Sequence, residues 1–333
     1  MRSKVAWVSA FCLAGAALVM GQAGNKPAAP VTETVAPNIP GVVAGGTKVQ
    51  IIQLWETGQG GEGPVGMPDG SVVFTQQGLH RLMKIDANGA LSVFLELGKN
   101  QVLGQALDKK GRLLTTHRGE PNGVVAVWPK REVVADQVGG KKFGRPNDIV
   151  ADAKGGAYFS DNSGVREGQP PPDPNWASPG IYYISPSGQV TLMSKGRSDC
   201  PPTCTAVERP NGLQLSPDGK TLYAASGMVS HLTAFDVAPD GKLSNPRDFA
   251  DLGPAPSGAD GMATDAVGRL FIAARQVRVF SPEGKMLGSI PTPKPASNLT
   301  FGGPGRKTLF ITSNSGGAFK IAMLTEGPKN RAK

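Results

Sequence analysis

Asn147 and Asn211 each stand eight residues before a glycine that follows a short polar turn, Gly155 and Gly219. The same offset from Gly70 reaches Glu62, and from Gly268 it reaches Asp260. Asn298 takes the equivalent place when "KTLF" at Lys307 is laid on "KTLY" at Lys220. Two carboxylates and up to three side-chain amides, with no His or Cys among them, form a set of hard oxygen donors. Such a set suits one divalent cation, Ca²⁺ first, with Mg²⁺, Mn²⁺ or Zn²⁺ as alternatives. Taken singly, an Asn or Asp before a turn bonds nearby backbone groups and needs no ligand. Repetition at one offset favours a shared site over five separate turns. The sixth equivalent position holds Leu103, which would face a substrate or fill space.

Positions that recur at one offset need elements that recur with them. A short apolar run, a turn with Gly and a second apolar run return six times after residue 47. The second runs are "SVVFT", "RLLTT", "GAYFS", "KTLYAA", "RLFIAA" and "KTLFITS". Further strand-like runs follow, such as "HRLMKID", "GVVAVWP" and "GIYYISP". Repeats of roughly 40–50 residues with several strands each indicate propeller blades. The fold expected is therefore all-β, a six-bladed β-propeller over residues 48–325, with "KVQIIQLW" supplying the outer strand of the last blade and closing the ring. A two-domain β-sandwich would not explain the regular turn chemistry. In a propeller the shared position starts the innermost strand at one mouth of the central channel, so the side chains converge on the axis.

Residues outside the repeats set the context. Arg2 and Lys4 precede the apolar run "VAWVSAFCLAGAALVM" and the small residues of "GQA", which reads as a secretory signal over 1–23. The protein is thus expected to be exported, periplasmic or secreted, with no membrane attachment after cleavage. A Pro/Ala/Thr-rich flexible linker is expected over 24–47, and a basic tail over 326–333. With Cys12 in the signal, Cys200 and Cys204 of "CPPTC" remain for a small disulfide-closed loop. The formal charge is +9, and its basic residues are scattered rather than clustered among aromatics, which argues against nucleic acid as a partner.

These residues resemble the senescence-marker-protein/gluconolactonase (regucalcin-like) family of six-bladed propellers. The resemblance spans about residues 55–323 and rests on five stretches. They are "EGP" at Glu62, "RPNDIVAD" at Arg145, "RPNGLQLSPDGKTLYAA" at Arg209, "ADGMATDAVGRLFIA" at Ala259 and "NLTFGGPGRKTLFIT" at Asn298. It implies one divalent cation held by Glu62, Asn211 and Asp260, often with Asn147, and hydrolysis of a small-molecule lactone such as gluconolactone by a monomer. Asp260 is the expected general base and Glu62 the alternative. Arg145 resembles the family's substrate-contacting Arg; a structural ion pair is the other reading. Asn147 would hold the cation or the substrate carbonyl. His117, in "TTHRG", is expected either to contact substrate or to cap a backbone group, and Asp148 to shape the start of its strand.

The chain departs from the family in "PVGMP" after Glu62, in Gln76 where an acid is common, and in a Pro-rich insertion over 167–179 carrying Trp176. That insertion would be a lid or an exposed loop. The same site could serve a phosphotriesterase or arylesterase-like hydrolase, or a non-catalytic Ca²⁺-binding propeller that holds a ligand or partner.

Overall fold

The structure is a computed structural model describing residues 30–163, 173–195 and 209–329. Its hairpin turns follow directly from the repeated Asp and Gly. Gly70, Gly111, Gly155, Gly219 and Gly268 take φ between 69° and 102°, where a side chain is disfavoured. The turn Asp then accepts from backbone amides just downstream. Asp152 Oδ1, for example, accepts from the amides of Lys154, Gly155 and Gly156, each at 2.8 Å.

Each hairpin grows into an antiparallel sheet, four-stranded in five blades and five-stranded in the last, and the six sheets form the blades of a ring. The inner strands are Gly61–Gly66, Gln101–Leu107, Pro146–Ala151, Leu213–Leu215, Met262–Thr264 and Asn298–Gly302, numbered here as blades one to six. Lys48–Leu54 pairs with Gly317–Ala322, with Ile51 opposite Phe319, so the start of the propeller completes its last blade as expected. No helix among the described residues is long and apolar enough to cross a membrane.

The core lies between the blades. Alternate side chains of a strand point to opposite faces of its sheet, so each blade feeds two apolar clusters. Val102, Leu113, Val125 and Val127 of blade two pack against blade one, whereas Ala106, Leu114, Val124 and Ala126 pack against blade three. Six clusters of this kind bind each blade to its neighbours around the ring.

Two expectations need correction. The described part of the 24–47 segment is no free linker. Thr34–Val35 adds a strand to Lys48–Leu54, and Ala36, Ile39, Val42 and Val43 are buried with the apolar residues of blades five and six. The segment reads as a linker because of its Pro and Ala, but its spaced apolar residues find a groove to fill. At the other end, the start of the 326–333 tail is docked: Ala266 donates to Glu326 O at 2.7 Å and Gly327 to Arg306 O at 2.9 Å. The signal segment and the Cys200–Cys204 loop lie outside the described residues.

Candidate active site

Close approach of the inner strands fixes the order of the predicted residues. A side chain on Gly63 would strike the Leu103 carbonyl, one on Gly104 the Asp148 backbone, one on Gly212 the Asp260 carbonyl, and one on Gly261 the Asn298 amide. Glycine is needed after Glu62, Leu103, Asn211 and Asp260 because the neighbouring blade leaves no room for a Cβ. The ring closes where Asn298 Nδ2 donates to Glu62 Oε2 at 3.1 Å. Between blades three and four, Asn147 Nδ2 donates to Asn211 Oδ1 at 2.5 Å. The structure thus links Asn147 to Asn211 and Asn298 to Glu62 by side chain, and sets Asp260 between Asn211 and Asn298.

Glu62 is the electrostatic centre of this mouth. It is only 5% exposed, and its oxygens accept from three donors. Oε2 takes the Gly63 amide at 3.1 Å as well as Asn298, and Oε1 takes Asn314 Nδ2 at 2.8 Å. Burial pushes its pKa above the usual carboxylate value, with the nearby Asp148 charge adding to the rise and the hydrogen bonds opposing it. Glu62 makes no ion pair among the described residues. A carboxylate so enclosed is stabilised in its charged form by a nearby positive charge, and none of the described residues supplies one.

Asp260 is less enclosed: it is half-buried, with its amide on Ala273 O at 2.9 Å. Asp148 is 2% exposed and accepts from the amides of Ile149 and Leu213, both at 2.9 Å. It staples the inner strands of blades three and four, in agreement with a strand-shaping role.

Arg145 is half-buried two residues before Asn147 and forms no ion pair among the described residues, which removes the structural ion-pair reading. Its loop is held by Asp161, whose Oδ2 accepts from Gly144 at 2.8 Å and whose Oδ1 accepts from the amides of Arg145 at 3.1 Å and Ser163 at 2.9 Å. Trp176, on the return of the Pro-rich insertion, lies close enough to Gly144 to exclude a side chain there. Residues 164–172 of that insertion are outside the described residues.

His117 caps nothing. It is 1% exposed, and neither ring nitrogen has a partner among the described residues. Burial, helped by the Arg131 charge, pushes its pKa down to about 4, so it is a neutral imidazole near pH 7. Its backbone pairs with Val102, next to Leu103, where the ring of oxygen donors is interrupted.

Two contributors escaped the sequence reading, Asn314 and Asp161. Asn314 looks like a turn residue in "SNSGG", and its partner Glu62 is 252 residues away in the chain. Asp161 ends a strand, and only its alignment with Gln76 at the corresponding strand end of blade one hints at its position.

Residues 60–315 match the family described as the SMP-30/gluconolactonase/LRE-like region. The chain belongs to that family. It is 29% identical over 288 residues to a gluconolactonase of Zymomonas mobilis, covering 77% of this chain and 76% of that one. An L-arabinolactonase of Azospirillum brasilense is 31% identical over 175 residues, covering 51% of this chain and 52% of that one. Among solved structures, a gluconolactonase of Xanthomonas campestris superposes with a TM-score of 0.70 at 27% identity, covering 90% of this chain and 99% of that one. These relatives support a lactone-hydrolysing enzyme.

The donors present fit a hard divalent cation. Glu62, Asn147, Asn211 and Asp260 offer only carboxylate and amide oxygens, a chemistry suited to Ca²⁺, Mg²⁺ or Mn²⁺ more than to Zn²⁺. No group of three or more His, Cys, Asp or Glu forms among the described residues, so amide oxygens would have to complete the shell. The Asn147–Asn211 contact brings two amides within reach of one point, and Glu62 supplies a charge that no cation among the described residues answers.

Proposed function

We propose that the protein is a divalent-cation-dependent lactonase that opens the ring of a sugar lactone, gluconolactone being the first candidate. The observation that carries the reading is the buried Glu62 carboxylate, in a ring of oxygen donors that includes Asn147, two residues after Arg145; among the described residues neither Glu62 nor Arg145 makes an ion pair. A bound cation supplies Lewis acidity at the lactone carbonyl. Glu62, Asn147, Asn211 and Asp260 would hold it.

Asp260, the more exposed of the two carboxylates, takes a proton from the attacking water. Glu62 is worse placed for that task because both its oxygens already accept hydrogen bonds. As water adds to the carbonyl carbon and the ring C–O bond breaks, Asp260 returns the proton to the departing ring oxygen. The product is an open-chain hydroxy acid. Arg145 orients the substrate by donating to its hydroxyl or carbonyl oxygens, and neutral His117 and Leu103 mark the side where no oxygen ligand stands. The amino-terminal apolar run after Arg2 and Lys4 supports an exported enzyme.

The test is pH-stat hydrolysis of a lactone panel, gluconolactone included, after chelation and re-addition of Ca²⁺, Mg²⁺ and Mn²⁺ in turn. Turnover that follows the cation and disappears in Asp260→Asn is the expected result. Hydrolysis of aryl or phosphotriesters in preference to every lactone would move the substrate assignment. No turnover of any ester with any cation would leave a binding protein.

A further inference from the structure

Asn314 lies in the turn between Thr308–Ser313 and Gly317–Ala322 of blade six, outside the positions that repeat from blade to blade. It is exposed, yet its Nδ2 donates at 2.8 Å to Oε1 of Glu62, the enclosed carboxylate of the site. Asn314 is itself held: its Oδ1 accepts from Gln77 Nε2 at 3.1 Å. Gln77 Oε1 in turn accepts from Gln101 Nε2 at 3.4 Å, at the start of the inner strand of blade two. A chain of three side-chain amides therefore runs from Glu62 along the rim across blades six, one and two.

The two oxygens of Glu62 are not equivalent. Oε2 takes two donors, the Gly63 amide and Asn298, whereas Oε1 takes, among the described residues, Asn314 alone. A carboxylate oxygen has two lone-pair directions, so Oε1 keeps one for an outside partner. The side chain of Glu62 is pinned at Oε2 by its own strand and by blade six. Asn314 is the remaining constraint on where Oε1 points.

We propose that Asn314 is a positioning residue that aims the free lone pair of Glu62 Oε1 at the cation, with Gln77 fixing Asn314. The inference rests on the cation-dependent reading above and adds a residue to it. Outer partners that orient ligating carboxylates commonly change metal affinity by tenfold or more when removed. The exposure of Asn314 makes its truncation a mild change to the fold, so an effect on the cation is readable apart from stability.

The experiment is calorimetric titration of the chelated full-length protein with Ca²⁺ and separately with Mn²⁺, for the wild type, Asn314→Ala, Asn314→Gln and Gln77→Ala. Melting temperatures without cation are measured alongside. Asn314→Ala should weaken binding about tenfold, in line with that range, while its cation-free melting temperature stays within about 2 °C of the wild type, a change below roughly 1 kcal/mol. Asn314→Gln, which can still donate, should recover part of the affinity. Gln77→Ala should give a smaller loss of the same sign. Wild-type binding with Asn314→Ala equal to it within twofold overturns the inference alone. A wild type that binds neither ion overturns the cation-dependent reading and the inference together. Weakened binding that tracks a large fall in cation-free melting temperature, with no recovery in Asn314→Gln, assigns Asn314 to the fold and also overturns the inference.

Discussion

Asp260 and Asp265 are five residues apart in blade five, and they live in opposite electrostatic worlds. Asp265, at the turn end of the inner hairpin, is fully buried. Its oxygens accept from the amides of Val267 at 3.1 Å and Arg269 at 2.8 Å, from Thr325 Oγ1 at 2.9 Å and from the Arg269 guanidinium at 3.1 Å. Asp108 has the same arrangement with Arg112, and Asp69 is held down to about 2 by Ser71 and Lys84. Every one of these turn carboxylates is answered within its own blade or by an adjoining segment. At the other end of the same strands, Glu62 finds amides but no cation among the described residues, and Asp260 sits half-buried beside the neighbouring blades. A carboxylate answered locally is a folding device. Glu62, enclosed and facing across blades with no cation beside it among the described residues, is poised for an outside charge.

Exchanging charge for amide at the two ends should separate the roles. Asp260→Asn is expected to lower kcat by about 10³-fold, the middle of the range for removing a general base, with little change in melting. Asp265→Asn should do the reverse. Breaking its buried pair with Arg269 should cost roughly 3 kcal/mol of stability, read by urea unfolding, while the folded fraction keeps its activity per molecule. If both variants lose activity at equal stability, the division between the two mouths is wrong.

His117 sharpens the comparison through pH. Its folded pKa of about 4 lies below the ordinary 6.5. Between those values the unfolded chain binds a proton that the folded chain refuses, so stability falls as pH drops from 6.5 towards 4 and is fully present above 6.5. The loss by pH 4.5 should be roughly 2–3 kcal/mol. His117→Gln should remove that part of the pH dependence in urea unfolding at pH 7 and pH 4.5. Arg145→Gln is the mildest case, expected to raise KM about tenfold through the loss of one charge-assisted contact, with no change in melting because no ion pair is broken.

The parts of this architecture that repeat were readable in the sequence. Glu62, Asn147, Asn211, Asp260 and Asn298 share an offset from the turn because each blade is built alike, and Lys48–Leu54 could be assigned to the last blade because it stood unpaired before the first. What was not readable depends on contacts made once. Asn314 meets Glu62 only when the ring closes. Ile39 and Val43 sit in a stretch whose composition suits a linker, and only the groove beside blades five and six makes them core. His117 and Arg145 each had two readings, and among the described residues His117 caps no backbone group and Arg145 makes no ion pair, facts that only the folded arrangement shows.

The central claim is that the Glu62 mouth takes a divalent cation. Its most direct test is the melting temperature of chelated wild type and Glu62→Gln, each with and without added Ca²⁺, Mg²⁺ or Mn²⁺. At about a hundredfold excess over its dissociation constant, a cation stabilises the folded chain by about 2.7 kcal/mol, which should raise the wild-type melting temperature by roughly 5 °C or more. Glu62→Gln should show little or none of that rise. A wild type that melts at the same temperature with and without every cation, or a Glu62→Gln variant that rises as much as the wild type, would contradict the account.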